Sequence, residues 1–323
     1  MTADLLYLCR ADVERVGLPM ARVIERVEQA FVEKGSGRTE MPPKPGIHTR
    51  PDAFIHAMPA FIPAMSAAGM KWVSGYPGNQ ALGLPYISGL MILNDPGTGL
   101  PLAVMDCTWV TAQRTAAASA VAARHLCNRD ARVLAIVGCG VQGRSHLEAL
   151  GVVLPGLSQV NAFDTAPGVA EAYCAWAGER GVAARACSGL REAVEDADVI
   201  VTSGPILKQP DPPLPAAWVK EGAFVSAVDF DSYVRPELFE RADRLFTDDL
   251  GQFHYYRGEG YFQRTPEPHG DLGQLATGAE RGRESPEQLT IAVNLGIALE
   301  DMAVGTEVLE RARELGLGRA LPL

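Results

Sequence analysis

The chain has 323 residues and a mass of 34.5 kDa, with 47% hydrophobic and 21% charged residues, a composition typical of a globular protein long enough for two lobes. Its net charge of −10 at pH 7 argues against a nucleic-acid partner, which requires a concentrated basic surface. We find no apolar run of bilayer length and no signal-type segment, so we expect no membrane association and a cytoplasmic location.

The first third of the chain predicts a helix followed by a β sheet. Apolar residues recur at helical spacing over Asp12–Lys34, which predicts one amphipathic helix ending at Gly35. From Met41 to Met105, short β-rich runs alternate with Pro and Gly, as in an antiparallel sheet. The Ala-rich segment Thr108–Cys127 then predicts a long helix that leads out of the first lobe.

Strand and helix patterns alternate in the rest of the chain, which indicates a parallel sheet covered by helices. Helices are predicted from Val141 and through Glu171–Arg180, and the final stretch, Leu289–Val293 with Leu295–Leu315, is also predicted to be helical. The predicted strands are Val133–Val137, Val160–Phe163, Val199–Thr202, Phe224–Val228 and Arg244–Thr247. We therefore predict an α/β protein with a Rossmann-type, doubly wound lobe over residues 113–294. Residues 1–112 and 295–323 are predicted to form a discontinuous α+β lobe.

A glycine loop follows the first predicted strand of the Rossmann-type lobe. The segment Ala131–Gly143 runs from an apolar strand through Gly138, Gly140 and Gly143 into a helix. In this context Gly138 permits a tight turn, Gly140 lets a pyrophosphate approach the backbone, and Gly143 lets helix and strand pack closely. The loop therefore predicts a dinucleotide site.

The next strand ends in Asp164, about 20 residues beyond the loop, where an acidic residue binds the adenosine ribose hydroxyls. Asp164 would repel a 2′-phosphate, and the adjacent Thr165 supplies no positive charge to offset that repulsion. We therefore expect the cofactor to be NAD rather than NADP.

Ligands of doubly wound sheets lie at the carboxyl ends of the strands, where two more segments contain candidate residues. Thr202 and Ser203 follow one apolar run, and Asp229 and Asp231 follow another. A carboxylate beside a nicotinamide could accept a proton or hold the charge of a substrate amine. Either aspartate could instead cap a helix that starts near Pro236, and the pattern does not distinguish the two aspartates.

Two cations of the first lobe are candidates for binding a substrate carboxylate. Lys71 lies within an otherwise apolar strand, an unfavourable place for a charge without a partner, and Arg114 begins an Ala-rich stretch. Arginine binds carboxylates through two parallel hydrogen bonds. Each residue could equally form an ordinary surface ion pair.

The six cysteines and six histidines are dispersed, without the spacing of metal ligands or of a disulfide framework. We therefore predict free thiols and no metal site.

Read in order, five sets of residues resemble the ornithine cyclodeaminase/mu-crystallin family. They are Gly69–Lys71 with Asn79, Thr111–Ala117, Val137–Gly143, Gly222–Asp231 with Glu237 and Leu238, and Gly282–Glu284 with Leu289–Asp301. The resemblance covers nearly the whole chain. It implies a homodimer in which the N-terminal part and the last helix form the substrate lobe.

The resemblance also implies roles for individual residues. Lys71 and Arg114 would bind the substrate carboxylate. Lys71 and Asp231 would be the catalytic residues, with Asp231 acting on the amine or on water. Family members usually have an arginine where this chain has Lys44, and small residues where it has Asp229 and Phe230. The residues expected to bind NAD are Thr115, Gly138, Gly140, Val141, Gln142, Gly143, Asp164, Thr165, Thr202, Ser203, Val228, Asp229 and Asn294.

Three functions follow as hypotheses. The first is an NAD-dependent amino-acid dehydrogenase or imino-acid reductase, with a small amino or imino acid as substrate. The second is a cyclodeaminase of the ornithine or lysine type, which releases ammonia without net redox change. The third is an NAD-binding protein without turnover, similar to mu-crystallin. Presence of Lys71, Arg114 and Asp231 together favours an enzyme.

Overall fold

The computed structural model describes residues 4–323. The chain forms two compact units, one of residues 4–114 with Ile297–Leu323 and the other of Thr115–Gly296.

The first unit is built on a seven-stranded, mostly antiparallel sheet with the order β15-β1-β6-β5-β4-β3-β2. The strand β1 pairs in parallel with β6, and the C-terminal strand β15 adds to the edge beside β1. The strands are β1 (Asp4–Leu8), β2 (Gly46–Ile47), β3 (Phe54–Ile62), β4 (Ala67–Gly75), β5 (Ile87–Asn94), β6 (Pro101–Asp106) and β15 (Arg319–Pro322). The helices are α1 (Arg10–Val16), α2 (Met20–Gly35) and α10 (Ala298–Glu314), and α3 (Thr108–Leu126) continues into the second unit.

The two faces of this sheet differ. Alternate residues of β4, such as Lys71 and Val73, are buried on the face that α10 covers, because side chains alternate along a strand. Trp72 of β4 and Leu90 of β5 are register partners on the opposite face, and each remains 44% exposed. We call that second side the open sheet face.

The predicted single helix over Asp12–Lys34 is wrong in one respect, because the structure contains two helices, α1 and α2. Gly17 adopts the left-handed conformation with a φ of 64° and ends α1, and Pro19 precedes the first turn of α2. Glycine favours such helix ends, and proline favours helix starts. The apolar spacing continues across the break, which explains why periodicity alone did not reveal it.

The second unit contains an eight-stranded sheet in which every described pairing is parallel, with the order β13-β12-β14-β11-β10-β7-β8-β9. The strands are β7 (Val133–Val137), β8 (Gln159–Phe163), β9 (Ala183–Ala186), β10 (Val199–Thr202), β11 (Phe224–Ala227), β12 (Arg244–Thr247), β13 (Gly270–Asp271) and β14 (Thr290–Val293). The helices are α4 (Val141–Val153), α5 (Val169–Gly178), α6 (Leu190–Val194), α7 (Pro236–Arg241), α8 (Leu250–Gly258) and α9 (Leu272–Thr277). Six of these strands, in the order β9-β8-β7-β10-β11-β14, have the arrangement of a Rossmann sheet, which confirms the predicted fold class.

The prediction that Leu289–Val293 is helical is wrong. Residues Thr290–Val293 form β14, a fully buried strand between β11 and β12. A short apolar run suits a strand buried on both faces as well as a helix, so periodicity cannot separate the two. The last helix begins at Ala298, after Gly296 with its φ of 75°.

Over residues 4–323, the structure contains no helix both long and apolar enough to span a membrane.

Candidate active site

The glycine loop of the second unit joins β7 to α4, and each of its glycines has a different environment. Gly138 has a φ of 98°, and a Cβ atom there would lie 2.8 Å from the carbonyl oxygen of Ser203. A Cβ at Gly143 would lie 2.5 Å from the Gly138 oxygen. A Cβ at Gly140 would meet no described atom within 4 Å. Packing within the protein therefore requires glycine at 138 and 143, whereas at 140 the backbone borders open space.

Asp164 lies directly after β8, where it is fixed against the loop. Its Oδ2 accepts a hydrogen bond of 2.8 Å from the backbone N–H of Cys139, and its Oδ1 accepts one of 2.9 Å from Ala166. The neighbouring Thr165 is exposed. The carboxylate thus stands beside the glycine loop, as a ribose-binding acid of a dinucleotide site would.

The ends of β10 and β11 are joined through Asp229, which is fully buried. Thr202 Oγ1 donates to Asp229 Oδ1 at 2.7 Å, and the Gly204 N–H donates to Oδ2 at 2.9 Å. Burial raises the pKa of Asp229 to about 7, although both hydrogen bonds act in the opposite direction. Ser203 Oγ donates to the Gly138 oxygen at 2.9 Å, so this loop is also tied to the glycine loop.

Asp231 has a different environment. Its Oδ2 accepts a hydrogen bond of 2.7 Å from the Phe262 N–H, whereas its buried Oδ1 has no partner among residues 4–323. Burial raises the pKa of Asp231. Phe230, which separates the two aspartates, has a φ of 61°. The N-cap of α7 is Arg235, so the alternative interpretation of either aspartate as a cap of that helix is wrong.

The other predicted cofactor residues of the second unit lie on α3, at the start of α4, or directly after the strands β11 and β14. Val141 and Gln142 begin α4, with Val141 exposed, and Thr115 lies buried on α3. Val228 donates its N–H to the Thr202 oxygen at 3.0 Å. Asn294 follows β14 and is buried, and its Oδ1 has no described hydrogen-bond partner.

The first unit contains a cluster of four buried charges, which we call the charge cluster: Lys71, Arg114, Glu300 and Asp301. Lys71 Nζ lies 2.7 Å from Asp301 Oδ1 and 3.4 Å from Thr111 Oγ1. Arg114 Nη1 donates to Glu300 Oε2 at 2.6 Å, and its Nε lies 3.1 Å from Asp301 Oδ1. Neither side chain of the Lys71–Asp301 pair is exposed, so the alternative of a surface ion pair is wrong.

Two positive and two negative side chains make the charge cluster neutral when all four are ionised. Burial and the nearby Arg114 lower the pKa of Lys71, while Asp301 acts in the opposite direction. Sequence reasoning did not identify Glu300 and Asp301 as members of a site. The signal was available, because two adjacent acids in the otherwise apolar start of α10 require partners if that helix is buried.

Lys44 lies just before β2 and is only 6% exposed. His56, on the helix-covered face of β3, is likewise buried. Burial, together with the charges of Lys44, His48 and Lys71, lowers the pKa of His56 to about 2. His56 is therefore neutral at physiological pH.

Within the described part of the chain, no group of three or more His, Cys, Asp or Glu side chains is arranged to hold a metal ion. All six cysteines are free.

The chain is similar to known proteins over nearly its whole length. The model of the ornithine cyclodeaminase/mu-crystallin family matches residues 5–316. The nodulation efficiency protein NfeD of Rhizobium meliloti is 37% identical, with 98% of each chain covered. A solved structure of the Delta(1)-pyrroline-2-carboxylate reductase of Thermococcus litoralis, in complex with NADH and L-proline, is 30% identical with a TM-score of 0.88, and the match covers 98% of this chain and 100% of that one. An archaeal alanine dehydrogenase dimer with bound NAD is 33% identical with a TM-score of 0.88, over 99% of this chain and 100% of that one.

Proposed function

The chain belongs to the ornithine cyclodeaminase/mu-crystallin family, and from this premise we propose that it is an NAD(H)-dependent oxidoreductase acting on the amino or imino carbon of a small amino acid. The observation that carries the proposal is the charge cluster, in which Lys71 and Arg114 are held in place by two acids inside the first unit. Two solved relatives act on an amino acid or a cyclic imino acid, and their structures contain NAD or NADH.

The second unit is proposed to bind NAD, and the residues there fit this cofactor. Gly140 leaves room for a pyrophosphate at the start of α4, and Asp164 supplies an acceptor for the adenosine ribose. The remaining proposed NAD residues are Thr115, Gly138, Val141, Gln142, Gly143, Thr165, Thr202, Ser203, Val228, Asp229 and Asn294. When bound, the nicotinamide supplies the hydride chemistry, and the protein supplies orientation and electrostatics. Asp164 favours NAD over NADP, because its carboxylate would repel a 2′-phosphate.

Lys71 and Arg114 are proposed to bind the substrate carboxylate, with Lys44 as a further cation. Arg114 offers the planar donors that suit a carboxylate, and Lys71 offers a point charge. Asp301 and Glu300 hold both cations in fixed positions before substrate arrives, which lowers the entropy that binding must overcome.

Asp231 is proposed as the acid or base at the substrate nitrogen or at the water that attacks the imine carbon. The Phe262 N–H fixes one carboxylate oxygen, which leaves Oδ1 as the oxygen able to exchange a proton. The raised pKa of Asp231 brings its proton affinity closer to neutrality, as general acid–base catalysis requires.

The proposal is tested by following NADH absorbance with a panel of amino acids and of 2-oxo acids combined with ammonia or primary amines. An oxidoreductase changes NADH in proportion to product, whereas a cyclodeaminase releases ammonia with catalytic amounts of NAD. Arg114→Lys, which keeps the charge but loses the planar donors, is expected to raise the KM of the active substrate by about tenfold or more. Failure of every panel member to alter NADH or to release ammonia would contradict the proposed function.

We further propose that the protein is a cytoplasmic homodimer. The open sheet face supports a dimer, since neighbouring strands present an apolar surface there and the alanine dehydrogenase relative is a dimer. The described residues of that face are Tyr7, Ala57, Pro59, Ala68, Met70, Trp72, Leu90, Ile92, Leu102 and Val104. Six free cysteines are usual in a reducing compartment.

A further inference from the structure

A buried polar network lies in the second unit, near the carboxyl ends of β11 and β14. We call it the Ser119 network, and its members are Ser119 on α3, His146 on α4, Ser226 on β11 and Asn294 after β14. Ser119 Oγ lies at its centre, 2.9 Å from His146 Nε2, 2.9 Å from Ser226 Oγ and 3.0 Å from Asn294 Nδ2. At most 2% of any of these four residues is exposed.

The proton on His146 determines the direction of every hydrogen bond in this network. His146 Nδ1 lies 2.8 Å from the carbonyl oxygen of Gln142, which can only accept, so Nδ1 must carry a hydrogen. Burial lowers the pKa of His146 to about 4, so the ring is neutral and carries one N–H. His146 Nε2 is therefore an acceptor and requires a donor.

Ser119 supplies that donor. Its hydroxyl donates to His146 Nε2 at 2.9 Å in preference to the Thr115 oxygen, which is 3.4 Å away. With its one hydrogen used, Ser119 Oγ can only accept, and it accepts from Ser226 and from Asn294. Neither hydroxyl then has a hydrogen left for Asn294.

The orientation of the Asn294 amide follows from this assignment of the two hydroxyl hydrogens. Its nitrogen must face Ser119 and Ser226, to which it donates at 3.0 and 3.3 Å, because a reversed amide would place Oδ1 against two oxygens with no hydrogen between them. Asn294 Oδ1 consequently faces away from the network. It is buried and accepts no hydrogen bond from the described residues.

The position of Asn294 indicates what could donate to this oxygen. Asn294 follows β14, which lies three strands from β7 in the order β7-β10-β11-β14, or about 14 Å along the edge of the sheet. The glycine loop, where the pyrophosphate would bind, follows β7. Asp164, the proposed ribose-binding acid of the adenosine half, follows β8 on the opposite side of β7 from β14. The nicotinamide half of a bound dinucleotide would therefore extend from the glycine loop toward β14, and its carboxamide carries an N–H donor.

We propose that Asn294 Oδ1 accepts a hydrogen bond from the carboxamide of the nicotinamide, and that Ser119, His146 and Ser226 are positioning residues that fix the amide for this contact. The proposal rests on the proposed function, because it assumes that the second unit binds NAD. It assigns a role to three residues whose side-chain hydrogen bonds, among residues 4–323, go only to Asn294, to one another or to the backbone.

Calorimetric titration with three ligands tests the contact. NAD carries the carboxamide, 3-acetylpyridine adenine dinucleotide has a methyl group in place of its NH₂, and ADP-ribose lacks the pyridine altogether. We expect the wild-type protein to bind NAD about tenfold more tightly than the acetyl analogue, since the analogue leaves a buried acceptor unpaired. Asn294→Ala should bring the two dissociation constants to within about twofold and leave the affinity for ADP-ribose unchanged.

Ser119→Ala tests the positioning role, because it keeps Asn294 but removes the nearer of the two acceptors for its nitrogen. We expect the preference for NAD over the analogue to fall several-fold, with ADP-ribose affinity unchanged. Ser145→Ala is the matched control, since it also removes a buried hydroxyl of this unit, one that donates only to the Val141 oxygen, and it should keep the full preference.

Equal affinity of the wild-type protein for NAD and the analogue would overturn the proposed contact, and that measurement needs no variant to fold. A preference that survives Asn294→Ala would overturn it as well. An unaltered preference in folded Ser119→Ala would overturn the positioning role. Absence of binding to both NAD and ADP-ribose would instead contradict the proposed function, so the two failures are distinguishable.

Discussion

Single residues in the charge cluster illustrate why buried ions come in balanced sets. Transfer of an isolated ion into a protein interior is costly, and a partner at hydrogen-bond distance offsets that cost. Asp301 Oδ1 lies close to both Lys71 Nζ and Arg114 Nε, and Glu300 neutralises the second positive charge. Removal of one member should therefore destabilise the protein more than removal of a matched pair.

We expect Lys71→Met to lower the free energy of unfolding by about 3 kcal/mol, because it leaves a net negative charge buried with Arg114. The double variant Lys71→Met/Asp301→Asn keeps the neutral Arg114–Glu300 pair and should recover most of this loss. Both variants should lack catalytic turnover, since each has lost the Lys71 ammonium that is proposed to bind substrate. Urea unfolding and NADH assays measure the two effects.

The control for this cycle is Arg10→Met, which breaks an exposed ion pair with Glu14 and should change stability by less than about 0.5 kcal/mol. A double variant as unstable as Lys71→Met alone would contradict the charge-balance explanation.

The raised pKa of the buried Asp229 leads us to expect that the stability of the protein depends on pH. Its folded pKa is raised to about 7, above the value of about 3.9 for an unfolded chain, so between these values the folded state holds a proton that the unfolded state has released. The contribution of Asp229 to the free energy of unfolding therefore declines as pH rises, by up to about 1.4 kcal/mol per pH unit, and the decline ends above about pH 7. Asp229→Asn should lose this slope in urea unfolding between pH 5 and 8. Parallel pH curves for the two proteins would contradict the assignment.

At the scale of elements, the turn from β7 into α4 separates two reasons for a glycine. Gly143 is required by packing, because a Cβ there would collide with the Gly138 carbonyl, whereas no described atom lies near the Cβ position of Gly140. Gly140 precedes the first turn of α4, where N–H groups and the helix dipole favour an anion. The structure thus permits a side chain at 140 that a bound pyrophosphate would not.

We expect Gly140→Ala to leave the free energy of unfolding within about 0.5 kcal/mol of wild type and to weaken NAD binding by about tenfold or more. Gly143→Ala should lower stability, because its Cβ would require the loop to shift. Gly151→Ala, within α4 and without close neighbours, is the control and should keep NAD affinity. Unchanged NAD affinity in Gly140→Ala would show that no ligand approaches the loop there.

At the scale of the whole molecule, the first unit brings its apolar sheet face to the surface of the single chain. Trp72 and Leu90 pair across β4 and β5 and are each 44% exposed, an unusual exposure for two adjacent large apolar side chains. A second copy of the chain would cover this face through the same residues on both subunits, as two-fold symmetry requires.

Trp72→Glu should therefore convert a dimer, with twice the 34.5 kDa mass of one chain, into a monomer measured by light scattering. The reason is that a dimer would bury the introduced carboxylates without partners. Leu82→Glu, at a 72% exposed site outside the strands, should leave the mass unchanged. A wild-type monomer, or a dimeric Trp72→Glu variant, would contradict the proposed interface.

Local sequence patterns were sufficient to predict much of the Rossmann-type unit. Val133–Val137, Val199–Thr202 and Arg244–Thr247 are strands with the predicted bounds, and the glycine loop stands between β7 and α4 as predicted. Short apolar runs, turn glycines and a strand-end acid are encoded within a few consecutive residues, so the sequence displays them directly. The sequence also predicts unit boundaries after residues 112 and 294, and the compact units divide after Arg114 and Gly296.

Tertiary structure alone decided which partners the buried polar groups have. Lys71 meets Asp301 across 230 positions of the chain, and Ser119 meets Asn294 across 175. No periodicity relates residues so far apart, because their contact depends on how sheets and helices pack around them. By itself the sequence determined a dinucleotide fold and a set of candidate charges; packing determined that the charges are neutralised in pairs, that Asp229 and Asp231 differ, and that the Asn294 amide has one orientation.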